Sequence, residues 1–162
     1  MTHSHHDASR RQLLRLLPFA LAAPFIISAC TPTPRIYAMK VSRDVGCMCC
    51  HAWADLMKAS TRFTVTLKEG EDLPALKQRL GVPPDLGSCH TAVVGGYVVE
   101  GHVPAEDILR LLDERPAGVR GIAVPGMPRG SPGMEQPNGA RDPYDVIAFR
   151  TDGSSYVFAH HE

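Results

Sequence analysis

The sequence predicts an α/β domain with the element order β-α-β-α-β-β-α, followed by a C-terminal loop and β-hairpin extension. Three observations carry this reading. Short stretches with apolar residues at every second position alternate with stretches at helical spacing. Gly95-Gly96 divides two β-branched runs, a strong two-residue hairpin signal. Cys47, Cys49 and Cys50 crowd together where the first strand must turn into the first helix.

In chain order, residues 1–29 read as an export signal. Ser9-Arg10-Arg11-Gln12-Leu13-Leu14 resembles a twin-arginine motif, and an apolar stretch follows from Leu13 to Ala29. Arg15, Pro18 and Pro24 interrupt that stretch, which falls short of a clean membrane-spanning helix of about 20 residues. Ile27-Ser28-Ala29-Cys30 resembles a lipobox, in which Cys30 is acylated and becomes the new N-terminus. A lipid-anchored protein of the periplasm is therefore expected, with 30–35 as an extended tether. Cleavage before Cys30 would remove that thiol, and His3, His5 and His6 with the signal, from the set of possible ligands.

The domain proper is expected over 36–116. Ile36 to Val41 alternates as a strand, and Ser42 to Gly46 turns the chain. A helix should start among the cysteines and run to about Ser60, with Trp53, Leu56 and Met57 turned to the core. Phe63 to Leu67 makes the second strand. Asp72-Leu73-Pro74 starts a helix, since Asp caps free amides and Pro suits the first turn; Gly81, Pro83 and Pro84 end it. Ala92 to Val94 and Tyr97 to Glu100 flank the hairpin turn. Pro104 to Arg115 forms a helix with Ile108, Leu111 and Leu112 inward. This order is the thioredoxin-like arrangement, and sites in such sheets form beyond the carboxyl ends of strands, where Cys47 to Cys50 fall. Residues 117–162 read as a Pro/Gly/Met loop and hairpin packed on the same domain. Pro125 to Glu135 should lie over it as a lid, and Tyr144 to Phe149 with Ser155 to Phe158 should form the hairpin.

Composition excludes several classes of function. Basic and acidic residues balance at 17 each, with no basic run, so nucleic-acid binding has no support. No Ser-His-Asp grouping, phosphate loop or pair of carboxylates supports hydrolysis. Asp142-Pro143-Tyr144-Asp145 reads as a turn into a strand and takes no catalytic role. The five cysteines are not spaced as a disulfide framework; a tight cluster favours metal or redox chemistry.

Thiolates are soft ligands that select Cu(I), zinc or iron–sulfur clusters. A helix start lowers thiol pKa through its free amides and dipole. Structural zinc uses two separate knuckles of paired cysteines, whereas this chain has one crowded knuckle and the single Cys89. Helix geometry should spread Cys47, Cys49 and Cys50 in different directions, which disfavours one mononuclear site. Thiolates bridging several Cu(I) ions suit the crowding better, with zinc as the alternative. Cys47 and Cys50 also form C-x-x-C, so a thiol-disulfide or copper oxidoreductase is the competing reading. Cys49 inside the motif and Cys89 before the third strand weigh against simple disulfide exchange. Met48, His51, His90, Met127 and Met134 are candidate outer ligands. His102 is expected to cap or pack at the following helix, and His160 and His161 to fray at the chain end.

Cys47-x-Cys49-Cys50-x-x-Trp53, Leu80-Gly81-Val82-Pro83, Ser88-Cys89-His90-Thr91-Ala92, Glu100-Gly101-His102-Val103-Pro104 and the Pro125 to Glu135 run together resemble one family. It is the thioredoxin-fold, CopG-type copper-resistance and metal-binding proteins, once only a domain of unknown function. The likeness runs from about Ile36 to Phe158. It implies a periplasmic protein of copper homeostasis holding copper at Cys47, Cys49, Cys50 and Cys89, with other periplasmic copper-handling proteins as partners. Met48 stands where many relatives have Gly, which leaves the thiols intact but offers a thioether. A metal-binding protein is favoured over an enzyme.

Overall fold

The computed structural model describes residues 34–162. The expected export signal, Cys30 and most of the tether lie outside the described residues. None of the described helices is long and apolar enough to cross a membrane.

The elements are β1 (Tyr37–Arg43), α1 (Met48–Ala59), β2 (Phe63–Glu69), α2 (Leu73–Leu80), a 3-10 turn at Pro84–Leu86, β3 (His90–Val94), β4 (Tyr97–Glu100), α3 (Ala105–Glu114), β5 (Val119–Ala123), β6 (Tyr144–Arg150) and β7 (Ser155–His161). The α/β class and the order β-α-β-α-β-β-α are as expected through α3. All seven strands among the described residues join one sheet in the order β2-β1-β3-β4-β5-β6-β7. β1 pairs in parallel with β2 and antiparallel with β3.

The local signals act as their chemistry requires. The Asp72 carboxylate accepts the Ala75 amide at 3.0 Å, and Gly81 closes α2 in the left-handed region. Gly95 and Gly96 both take positive φ in the β3–β4 turn, so Val94 faces Tyr97 and Thr91 faces Glu100.

The sheet buries both faces. On one, Trp53, Ala54 and Met57 of α1 and Ile108, Leu111 and Leu112 of α3 pack with Met39, Val41, Val94, Val99, Ile122 and Ala148. On the other, Leu80 at the end of α2 joins Val82, Leu86, Val98, Ala123 and Phe149 in a smaller cluster. Leu56, expected in the core, is 42% exposed. The buried stripe of α1 is Cys50, Trp53, Ala54 and Met57, and Leu56, one residue before Met57, falls about 100° around the helix from it.

The C-terminal part differs most from expectation. Val119–Ala123 is a strand parallel to β4, and β6 pairs with it, so the hairpin continues the sheet instead of being appended to it. Five residues with a central glycine carry too little alternation to announce a strand. That glycine is required, because a Cβ at Gly121 would strike the Val98 carbonyl and the Phe149 ring. The terminal histidines are not frayed. They belong to β7, with His160 Nδ1 2.7 Å from Asp145 and His161 Nε2 2.7 Å from the buried Asp107.

Candidate metal centre

The antiparallel pairing of β1 and β3 brings the cysteines together. Arg43, the last residue of β1, lies opposite His90, the first of β3. The chain leaving β1 therefore turns into Cys47 to Cys50 beside the chain entering β3 at Cys89. Ligand atoms of Cys47, Cys49, Cys50 and Cys89 all lie within 4.8 Å of one another. The expected spreading of the trio is not found. Cys47 is the N-cap of α1, with extended backbone (φ −69°, ψ 97°), so its side chain leaves the helical spiral and its Sγ reaches within 3.5 Å of that of Cys49.

Cys47 and Cys50 are joined by a disulfide, with their Cα atoms 5.5 Å apart, while Cys49 and Cys89 are free. The Cys50 sulfur is buried and lies 3.6 Å from the Cys89 carbonyl oxygen. The first turn of α1 holds no acidic residue, so its free amides make an electropositive surround for sulfur. Arg43 clamps the turn. Its guanidinium donates to the Cys47 carbonyl at 3.0 Å, pairs with Glu69, and lies 3.5 Å from His51 Nδ1. His51 thus turns to Arg43 and stands outside the converged donor groups, and Met48 is 77% exposed.

His102 is the candidate donor that sequence reasoning undervalued. Its Nδ1 lies 2.8 Å from the Pro132 carbonyl oxygen, and its Nε2 3.1 Å from Cys89 Sγ. A carbonyl only accepts, so Nδ1 carries the proton and Nε2 presents a lone pair towards the sulfur. Burial lowers the His102 pKa, which keeps the ring neutral. His90, a predicted outer ligand, is fully buried against Trp53 and His102, with ring centroids 4.5 and 5.1 Å away. Its Nδ1 lies 3.4 Å from Cys89 Sγ, and its Nε2 has no partner among the described residues. Burial, and after it the neighbouring His102, pushes its pKa down to about 3. Cys89, His90 and His102 form a second convergent donor group sharing the Cys89 sulfur. The hairpin register could have revealed this: pairing Thr91 with Glu100 and His90 with Gly101 leaves Cys89 opposite His102.

Beneath the Cys89 loop, the buried Glu100 carboxylate accepts the Ser88 amide at 2.7 Å and the Thr91 hydroxyl at 2.7 Å, and pairs with Lys77. Both carboxylate oxygens face donors, which holds the segment carrying Cys89 in place. Burial raises the Glu100 pKa against the opposing pull of Lys77.

The 125–135 loop packs on α1. A Cβ on Gly133 (φ +83°) would stand 2.8 Å from the Trp53 nitrogen and 2.9 Å from the Cys49 carbonyl oxygen. Ser88 Oγ donates to the Gly126 carbonyl at 2.6 Å, tying the loop to the Cys89 segment. Met127 is 52% exposed and Met134 half-buried in this loop. Gly133→Ala is expected to lift the loop from α1 and detach the Pro132 carbonyl from His102, costing about 1–3 kcal/mol. Hydrogen exchange should show faster amide exchange across residues 125–135, with β1 to β3 unchanged.

Comparison with known proteins follows the same residues. The family described as a protein of unknown function, DUF411, matches residues 86–134, which include Cys89, His102 and the loop. No curated protein matches. A solved structure of copper resistance protein CopG, form 1, is 45% identical, with 80% of this chain and 98% of that chain covered and a TM-score of 0.71. Form 2 is 44% identical, with 79% and 100% covered and a TM-score of 0.72. With nearly the whole of each relative covered at that identity, the chain belongs to the CopG-type copper-resistance family.

Proposed function

We propose that the protein handles copper in the periplasm, holding Cu(I) through the thiolates of Cys47, Cys49, Cys50 and Cys89. The observation that carries this reading is the convergence of four sulfur atoms within 4.8 Å. Soft donors at that density favour Cu(I) and allow one sulfur to bridge two ions, which supports a small multi-copper thiolate cluster over a single zinc. His102 Nε2 offers a nitrogen donor on the Cys89 side. Copper tolerance or transfer to other periplasmic copper proteins follows from that chemistry, with export and a lipid anchor at Cys30 supplying the location.

The test is anaerobic reconstitution after reduction. Reduced protein should take up more than one Cu(I) per chain, and oxidised protein, with Cys47 and Cys50 bonded to each other, markedly less. Uptake of zinc alone, or equal uptake by both forms, would reject the site.

Copper binding should also release protons. Burial, and next the neighbouring Cys49, pushes the Cys89 pKa up to about 12. Cys89 is therefore a protonated thiol at neutral pH and must lose its proton to ligate. Affinity should rise about tenfold per pH unit for that proton below its pKa, provided copper takes it up as thiolate. A pH indicator in weak buffer should record at least one proton released per chain; none would remove Cys89 from the ligand set.

The disulfide at the start of α1 favours a second reading, a thiol-disulfide oxidoreductase using Cys47 and Cys50. Rapid insulin reduction by the copper-free dithiol protein would support it.

A further inference from the structure

The disulfide at the start of α1 leaves two thiols of the cysteine site unused. Cys47 and Cys50 are bonded to each other, while Cys49 and Cys89 are free. The sulfur atoms of Cys49 and Cys89 lie within 4.8 Å of each other, although one belongs to α1 and the other to the segment entering β3. Those two segments already touch, since the Cys50 sulfur lies 3.6 Å from the Cys89 carbonyl oxygen. The gap between the free sulfurs is therefore on the scale of a side-chain rotation. Cys47 Sγ is within 3.5 Å of Cys49 Sγ but is already bonded, which leaves Cys89 as the free thiol in reach of Cys49 among the described residues. Cys49 and Cys89 are both partly exposed, so a small oxidant reaches them where it does not reach the fully buried Cys50.

We propose that Cys49 and Cys89 form a second, reversible disulfide when the copper-free protein meets hydrogen peroxide, which takes all four sulfurs of the site out of metal binding. The peroxide O–O bond breaks as one oxygen passes to one of the two sulfurs, giving a sulfenic acid and water. The other sulfur attacks the sulfenic sulfur, the S–O bond breaks, and the departing hydroxide leaves as water with the second thiol's proton. The pair of thiols loses two electrons and two protons, and the peroxide is reduced to water. The bond does not depend on copper, and it differs from the Cys47–Cys50 bond in what it joins. Cys47 and Cys50 lie in one turn of chain, whereas Cys49 and Cys89 tie α1 to the entry of β3. With both bonds formed no thiol of the site remains, and reduction returns all four together.

The test takes copper-free protein that carries the Cys47–Cys50 bond and exposes it to excess hydrogen peroxide. Remaining thiols are blocked with N-ethylmaleimide, and tryptic peptides are mapped without reduction. Cys47, Cys49 and Cys50 fall in one tryptic peptide, residues 44–58, and Cys89 in another, residues 80–110. The two should appear as one linked species, lighter than the separate reduced peptides by two hydrogens for each of two bonds. Dithiothreitol should separate them. Cys49→Ser should abolish the link and leave Cys89 open to the maleimide. Cys89→Ser should deprive Cys49 of its resolving thiol, so that peroxide carries it on to sulfinic acid. Peptides that stay unlinked in the wild type would overturn the proposal, whether their thiols are alkylated or overoxidised. So would a link that persists in Cys49→Ser, which would place Cys89 on Cys47 or Cys50. None of these results touches Cu(I) uptake by the reduced protein, so this proposal and the copper reading fail separately.

Discussion

Cys89→Ser is expected to weaken Cu(I) binding by the reduced protein by about a hundredfold or more, and to lower the number of ions bound. The substitution exchanges a soft sulfur for a hard hydroxyl at the one donor that faces both the Cys47–Cys50 trio and His102. The fold should survive, because serine is smaller and its hydroxyl can donate to His102 Nε2 as the thiol does. Competition against a chromophoric Cu(I) chelator measures the change. Wild-type affinity in this variant would end the four-cysteine proposal. A disulfide-exchange enzyme built on Cys47 and Cys50 would lose little of its insulin reductase activity, so the two readings separate in one protein.

Trp53→Ala is expected to cost about 4 kcal/mol of stability, a large part of the ~5–15 kcal/mol typical of a domain. Trp53 is fully buried, packs on the His90 ring at 4.5 Å, and donates its indole N–H to the Val103 carbonyl at 2.8 Å. It joins α1 to the segment between β4 and α3, the two stretches that carry the cysteine trio and His102. Trp53→Phe keeps most of the apolar volume but leaves the Val103 carbonyl without its donor, a loss of about 1–3 kcal/mol. Urea unfolding followed by far-ultraviolet circular dichroism should rank wild type above the Phe variant and that above the Ala variant. A loss below about 1 kcal/mol for Trp53→Ala would show that the helix is held mainly by other contacts.

Particular residues show how far local pattern reaches. The Asp72 cap, the Gly81 stop and the Gly95-Gly96 turn were legible because each satisfies a backbone requirement within a few residues of itself. β5 was not, because its five residues become a strand only when β4 and β6 flank them. Leu56 was misplaced because helical spacing defines a broad apolar arc, and the neighbours α1 meets select which part of the arc is covered. His102 was passed over because its importance comes from the residue opposite it across a hairpin.

Side-chain chemistry and the succession of elements were readable in the chain alone: soft donors gathered at a helix start, and a βα pattern of known order. Both are properties of near neighbours, set by periodicity, caps and turns. Only the folded arrangement decided that Cys89 meets the trio, that Cys47 bends back towards Cys49, and that the Pro132 carbonyl orients the His102 ring. Those contacts depend on which strands pair and in what register. That choice is made by burying two faces of one sheet at once, and no short stretch of sequence contains it.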